Sequence, residues 1–103
     1  MLSLKSGVKA AGIQPELLLA ITVADQVYSS FSVLCVITAL TDGKHSVNSL
    51  HYKGKAVDLR CNNTADDAKI VAELKARLGL DYDVILEGAG TLNEHIHLEF
   101  QPK

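Results

Sequence analysis

The sequence predicts an α+β fold in which two helices pack on one face of an antiparallel sheet. Two segments repeat apolar residues at helical spacing, and four others are rich in β-branched residues or alternate apolar with polar residues. In chain order the predicted elements are helix, strand, strand, helix, strand and strand, an order that favours this class. The 103 residues are 48% hydrophobic, which is enough for one domain, residues 1–103, with a core of its own.

The first predicted helix begins at Pro15 and ends near Ser29. Proline is tolerated in the first turn of a helix, and Glu16 lies near the positive end of the helix dipole. The apolar residues that follow recur at helical spacing and are Leu17, Ile21, Ala24 and Tyr28. Residues 31–40, FSVLCVITAL, are rich in β-branched side chains and predict a buried strand after this helix.

A second strand is predicted over residues 55–60, where Val57 and Leu59 share one face and Ala56, Asp58 and Arg60 share the other. Residues 64–67, TADD, resemble a capping box with aspartate in its last position. This pattern predicts a second helix that begins there and ends before Gly79, which is a natural residue to follow a helix.

The third and fourth strands are predicted over residues 83–87 and 95–100. In the last strand, HIHLEF, the period of two places His95, His97 and Glu99 on the face opposite to the apolar residues. Two imidazoles on one strand face can serve one site, although a half-exposed sheet also carries such residues without a function. Glu99 lies further along and is expected at the rim of a site or in a salt bridge.

The charge and composition exclude some classes of protein. A formal net charge of -2 argues against a nucleic-acid binder, which would present a basic face. No apolar segment is long enough to span a membrane, and none resembles a signal peptide. Without an export signal or a CxxC spacing, Cys35 and Cys61 are expected to be free thiols.

The segment SLHYKGKAVD places His51 and Asp58 seven residues apart, with Asp58 on the polar face of the second strand. Together with a second histidine from the last strand, they would offer two nitrogens and one oxygen to a metal ion. Three protein ligands leave one tetrahedral position open for water, which is typical of catalytic zinc. Gly54 supports this hypothesis, because the chain must turn tightly between the loop and the strand.

The same segment, followed by HIH on a late strand, resembles the signature of the zinc D-Ala-D-Ala carboxypeptidase superfamily. This superfamily includes peptidoglycan peptidases of bacteria and phages, D-Ala-D-Ala dipeptidases and the amino-terminal signalling domain of hedgehog proteins. The residues that match its pattern are Ser49, His51, Gly54, Ala56, Asp58, His95 and His97. The resemblance implies the hedgehog and DD-peptidase type of fold, an antiparallel sheet with helices packed on one face.

The resemblance further implies one zinc ion per chain, with His51, Asp58 and His97 as its ligands. It places His95 beside the metal, where it could donate a hydrogen bond to the developing oxyanion. His45 is a second candidate for this hydrogen bond, because it lies in a loop that resembles the histidine-bearing loop of hedgehog domains. An ordinary loop histidine fits that position equally well.

Two glutamates compete for the role of general base. Glu94 lies three residues before His97, as in the E-x-x-H of the bacterial peptidases, whereas Glu87 ends a strand like the strand-end glutamate of hedgehog domains. Regular strand alternation points Glu94 away from the site face, so orientation favours Glu87. Glu94 stays open as the second candidate, because a loop-to-strand transition can change the alternation.

The residues that would hold the substrate are less clearly indicated. Peptidoglycan-cleaving relatives often carry an arginine before the Ser-x-His motif, where it holds a substrate carboxylate, and this chain has none there. Lys44 or Arg60 could substitute for it, and Ser49 is expected to order the loop by hydrogen bonding. An internal peptide bond is therefore favoured over a terminal D-Ala-D-Ala bond.

We therefore expect a zinc peptidase that hydrolyses peptide bonds of bacterial peptidoglycan, either a D-Ala-D-Ala carboxypeptidase or an L-Ala-D-Glu-type endopeptidase. The alternative is a hedgehog-like interaction module that binds zinc with weak or no turnover. In the absence of a signal peptide, the first hypothesis predicts a monomer made in the cytoplasm. It would act at the cell wall after release, as a phage lytic enzyme does.

Overall fold

The computed structural model describes residues 1–42 and 49–103, and these ranges contain two helices and five strands. The helices are α1 (Pro15–Ser30) and α2 (Asp67–Leu78). The strands in chain order are β1 (Leu2–Leu4), β2 (Cys35–Ala39), β3 (Ala56–Arg60), β4 (Tyr82–Glu87) and β5 (His95–Phe100). Both helices pack against the sheet, which confirms the predicted α+β class.

The five strands form one mixed sheet with the order β1-β2-β3-β5-β4. The four strands β2, β3, β5 and β4 pair antiparallel, as predicted. β1 adds a parallel edge strand beside β2, which the sequence pattern does not predict. Its three residues, LSL, are too few to show an alternation of apolar and polar side chains. Their extended conformation depends on pairing with β2 and not on local propensity.

α1 begins at Pro15 as predicted and ends in a turn that shortens the following strand. Ser32 has a φ of 59°, and its N–H donates to the Ser29 carbonyl at 3.0 Å. Residues 31–34 are used to reverse the chain after the helix. For this reason β2 begins at Cys35 and not at residue 31, although the apolar pattern runs without a break through residues 31–34 into the strand.

α2 begins at Asp67, later than the capping pattern predicts. The Oγ1 atom of Thr64 accepts a hydrogen bond from the Asp66 N–H at 3.0 Å, which closes a local turn outside the helix. The predicted capping box therefore does not form. At the other end, Gly79 follows the helix with a φ of 80° and donates its N–H to the Lys75 carbonyl at 3.1 Å.

The hydrophobic core lies between the helices and one face of the sheet. The inward residues of the two central strands are fully buried and are Val57, Leu59, Ile96 and Leu98. Burial of each such side chain stabilises the fold by about 1.5–3 kcal/mol. The alternation predicted for these strands is confirmed, and it leaves their other face to polar side chains.

Cys35 and Cys61 are buried free thiols, as predicted. Tyr28 joins the end of α1 to the sheet, because its hydroxyl donates to the Arg60 carbonyl at 2.8 Å. In the described part of the chain, neither helix is long and apolar enough to cross a membrane.

Candidate metal centre

Three polar side chains meet on the sheet face that does not contribute to the core. Asp58 lies in the middle of β3 and pairs in register with His97 of β5, so both side chains project from the same face. His51 reaches them from the turn before β3. The Oδ1 atom of Asp58 lies 3.2 Å from Nε2 of His51 and 2.9 Å from Nδ1 of His97. One potential ligand atom of each residue lies within 4.8 Å of the others.

A tight turn over residues 51–54 holds His51 in place, with only 2% of this histidine exposed. Gly54 has a φ of 71°, and a Cβ at this position would collide with the Gly12 carbonyl oxygen. The Gly54 N–H donates to the His51 carbonyl at 3.1 Å, and its own carbonyl accepts the Gln14 N–H at 2.8 Å. Gly54 is therefore needed both for the turn and for its packing against the segment before α1.

The second ring nitrogen of each histidine is held by an acceptor. A backbone carbonyl can only accept, so His51 donates its Nδ1–H to Leu40 at 2.8 Å and presents Nε2 to Asp58. In the same way His97 donates its Nε2–H to Glu99 at 2.8 Å and presents Nδ1 to Asp58. Histidines that bind metals are usually oriented by such a hydrogen bond, which also makes the ligating nitrogen more basic.

The charges of Asp58 and His97 depend on each other. Burial by itself raises the pKa of Asp58, but hydrogen bonds with His51 and His97 outweigh it and lower that pKa well below its usual range. The hydrogen bond with Asp58 raises the pKa of His97 to about 9, which burial opposes and Glu99 reinforces. Without a metal, His97 is therefore protonated at neutral pH. A metal ion has to displace the proton on Nδ1, as metal binding to histidine generally requires.

The donor set fits a zinc ion. Two imidazole nitrogens and one carboxylate oxygen are common zinc ligands, and three ligands leave a fourth tetrahedral position open. The three residues line an open pocket of about 930 Å³, together with Thr38 of β2 and Ser49 of the preceding loop. His51, Asp58 and His97 could therefore hold one metal ion at this pocket.

Glu87 and His95 lie beside these three residues. Glu87 is the last residue of β4 and pairs in register with His95, the first residue of β5. His95 donates its Nδ1–H to the Asn93 carbonyl at 2.7 Å, so its Nε2 faces Oε1 of Glu87 at 3.0 Å and Oδ1 of Asp58 at 3.9 Å. A carboxylate and an imidazole in this arrangement can accept and donate a proton beside the three candidate metal ligands.

Glu94 is not brought to the pocket. Its Oε1 accepts the Gly90 N–H at 3.0 Å, and its Oε2 lies 3.7 Å from the Cys61 sulfur. Glu94 precedes His95 directly, and strand alternation turns their side chains to opposite faces. Of the two glutamates considered for the general base, the structure places only Glu87 among the pocket-lining residues.

Cys61, Asp67 and Glu94 form a separate group whose ligand atoms also lie within 4.8 Å of one another. This group is less suited to a cation. Burial and, after it, the neighbouring Glu94 carboxylate together raise the pKa of the Cys61 thiol to about 12, so the thiol stays protonated at neutral pH. Asp67 is the first residue of α2, where the helix dipole favours negative charge and not a metal ion.

The other predicted residues differ in their placement. Ser49 lines the pocket, and its Oγ accepts the His51 N–H at 3.2 Å, which is the loop-ordering contact expected of it. Arg60 pairs in register with His95 and so shares its sheet face, but it does not line the pocket. Lys44 and His45 lie outside the described residues.

Several pocket residues are not indicated by the sequence pattern, and these are Lys5, Thr38, Asn93 and Gln101. Lys5 follows β1, a strand too short to recognise, so nothing in the sequence relates it to the motif. Glu99 was expected at the rim or in a salt bridge, and the structure shows that it orients His97. The sequence signal for this role was the spacing, because two residues that lie two positions apart on one strand point to the same face.

Comparison with known protein families relates the chain to a group of signalling domains. The family model of the Hedgehog amino-terminal signalling domain matches residues 14–97. No curated protein and no solved structure matches the chain significantly. The matched region extends from the residue before α1 to His97, so it contains all three candidate ligands, while Lys5 precedes it. The chain belongs to the family of Hedgehog amino-terminal signalling domains.

Proposed function

We infer that the protein is a zinc-dependent hydrolase of peptide bonds. The observation that carries this proposal is the juxtaposition of two groups at one pocket. His51, Asp58 and His97 could provide three ligands to a zinc ion, and beside them Oε1 of Glu87 lies 3.0 Å from Nε2 of His95. A structural zinc site is usually closed by four protein ligands, commonly cysteines. The resemblance of the motif to that of zinc peptidases supports the same assignment.

Each residue has a definite part in the proposed reaction. When bound, zinc lowers the pKa of a coordinated water to about 7 and polarises a substrate carbonyl. Glu87 accepts the proton of the attacking water and returns it to the leaving amine. His95 donates its Nδ1–H to the Asn93 carbonyl, and in its imidazolium form it also donates from Nε2 to the developing oxyanion.

The proposed substrate is the peptide part of bacterial peptidoglycan. This finer assignment is supported by the motif, which resembles that of peptidoglycan peptidases of bacteria and phages.

The family match favours a second candidate function. The matched family is one of signalling domains, so the chain could keep a zinc ion for contacts with a partner while turnover is weak or lost. In such a module Glu87 and His95 would have no proton to transfer. The two functions therefore differ in whether substitution of Glu87 has a measurable effect on hydrolysis.

The deciding experiment is digestion of purified peptidoglycan by zinc-loaded protein, with mass spectrometry of the soluble muropeptides. We expect fragments that result from hydrolysis of one type of peptide bond and that disappear when zinc is chelated. Glu87→Gln at equal zinc content serves as the matched control and should release far less. Zinc-loaded protein that releases no fragment would exclude the peptidase and favour the interaction module.

A further inference from the structure

Lys5 lies in the same row of side chains as the candidate metal ligands. Its N–H donates to the Ile37 carbonyl at 2.9 Å, so the parallel pairing of β1 with β2 continues to it. The next step of this register places Lys5 beside Thr38, whose hydroxyl donates to the Asp58 carbonyl at 3.3 Å. Lys5 and Thr38 both line the pocket.

The pocket therefore crosses the sheet from β1 to β4, with the candidate metal ligands near its middle. Adjacent strands lie about 4.8 Å apart, so β1 is roughly 10 Å from β3, which carries Asp58. The flexible side chain of Lys5 can cover part of this distance. Its ammonium group can stand roughly one or two residues of extended peptide away from the metal position.

The charges around the pocket indicate what Lys5 can bind. Each carboxylate that lines the pocket already has a histidine within 3.0 Å, and these pairs are Asp58 with His97, Glu87 with His95, and Glu99 with His97. Lys5 has no carboxylate within 4.0 Å in residues 1–42 and 49–103. An exposed ammonium beside a pocket whose acidic groups are already paired attracts a carboxylate of the ligand.

We propose that Lys5 binds a carboxylate of the substrate, and hence that the substrate carries a free carboxylate within one or two residues of the scissile bond. This proposal rests on the proposed peptidase function. Lys5 precedes the matched residues 14–97, so the contact comes from a segment that the family match does not cover. Both candidate bonds satisfy the requirement. A D-Ala-D-Ala bond is next to the C-terminal carboxylate, and an L-Ala-D-Glu bond is next to the α-carboxylate of γ-linked D-Glu.

The test compares three peptides in steady-state kinetics with zinc-loaded protein. The first is the stem pentapeptide L-Ala-γ-D-Glu-L-Lys-D-Ala-D-Ala, the second is its C-terminal amide, and the third carries an α-carboxamide on D-Glu. One of the two amides should raise KM by about tenfold with little change in kcat, as expected for loss of one charged hydrogen bond at an exposed site. That amide identifies the carboxylate that Lys5 binds.

Variants of Lys5 connect this effect to the residue. Lys5→Gln should raise KM for the free acid by the same factor of about ten, and it should not raise KM for the sensitive amide any further. Lys5→Arg, which keeps the positive charge, should restore most of the affinity for the free acid. Lys9→Gln removes the same charge from an exposed position in the same segment that does not line the pocket, and it should leave KM unchanged. Equal losses on acid and amides, or no loss in Lys5→Gln, would overturn the proposal.

Failure of the proposed function can be told apart from failure of this inference. If zinc-loaded wild-type protein cleaves none of the three peptides, the peptidase assignment fails. In that case the binding of the same peptides, measured by calorimetry, tests the contact of Lys5 with a carboxylate. Lys5→Gln must weaken binding of the free acid, and it must not weaken binding of the amide that binds less tightly than the acid. Absent binding, or equal binding by wild type and Lys5→Gln, would overturn the carboxylate contact.

Discussion

Glu99 accepts the Nε2–H of His97 at 2.8 Å from a position two residues further along the same face of β5. This hydrogen bond leaves Nδ1 of His97 as the nitrogen that faces Asp58, at 2.9 Å. One strand thus supplies both a candidate ligand and the residue that orients it. Because strands are extended and regular, this arrangement is set by the backbone of β5 and needs no loop to position it.

Glu99→Gln is expected to weaken zinc binding by about 10- to 100-fold, because a neutral amide orients His97 less firmly and makes its Nδ1 less basic. Competition with a chelator of known zinc affinity measures the change. Glu73→Gln, which alters a partly exposed glutamate of α2 that pairs with Arg77, is the matched control and should bind zinc like the wild type. Unchanged affinity in Glu99→Gln would show that this contact does not support the metal.

Glu87→Gln is expected to lower turnover by about 10²- to 10⁴-fold with zinc still bound, because the amide cannot accept the proton of water. Glu94→Gln should be mild, since the Glu94 carboxylate contacts Gly90 and Cys61 and does not line the pocket. The two variants are compared at equal zinc content on the same peptidoglycan. The opposite ranking would assign the base to Glu94, and two active variants would leave the role to His95.

The metal-free protein should lose stability as the pH rises from about 6.5 to about 9. The pKa of His97 is raised from 6.5 to about 9 in the fold by the hydrogen bond with Asp58. The folded state therefore holds one more proton than the unfolded chain in this window, and the free energy of unfolding falls by at most about 1.4 kcal/mol per pH unit. Urea unfolding with a chelator present measures this slope. His97→Gln should flatten it, and a wild-type stability that rises over this range would contradict the expectation.

Removal of zinc is expected to abolish hydrolysis and to leave the fold largely intact. The buried cluster that joins α1 and α2 to the sheet consists of apolar side chains and does not depend on the site face. Circular dichroism and activity, measured on the same sample before and after chelation, separate the two effects. Complete loss of helical signal would show that the ion is structural, since such sites contribute folding energy directly.

The sequence predicts the central part of the fold and the convergence of the site residues for a simple reason. In β3 and β5 the side chains alternate strictly, so Asp58, His95 and His97 must share a face if the apolar residues form the core. The predicted bounds of β5 are confirmed, and those of β3 differ by one residue. Where local periodicity and burial agree, pattern alone places the side chains.

Features that depend on tertiary contacts were beyond the reach of the pattern. β1 is held by pairing with β2, and so Lys5 could not be related to the pocket. The choice between Glu87 and Glu94 required knowing where the loop between β4 and β5 ends and alternation begins. Thr64 satisfies the sequence rule for a helix cap, but its hydroxyl bonds to Asp66 in a turn that precedes the helix.

The most direct test of the candidate metal centre is the X-ray absorption spectrum of the protein loaded with one equivalent of zinc. We predict only nitrogen and oxygen neighbours around the ion, with the multiple scattering of two imidazole rings from His51 and His97 and an oxygen from Asp58. A sulfur neighbour would place the ion at the group of Cys61, Asp67 and Glu94, which is the thiol-containing cluster of potential ligands among the described residues. That result would contradict the proposed metal centre, and with it the catalytic assignment of the pocket.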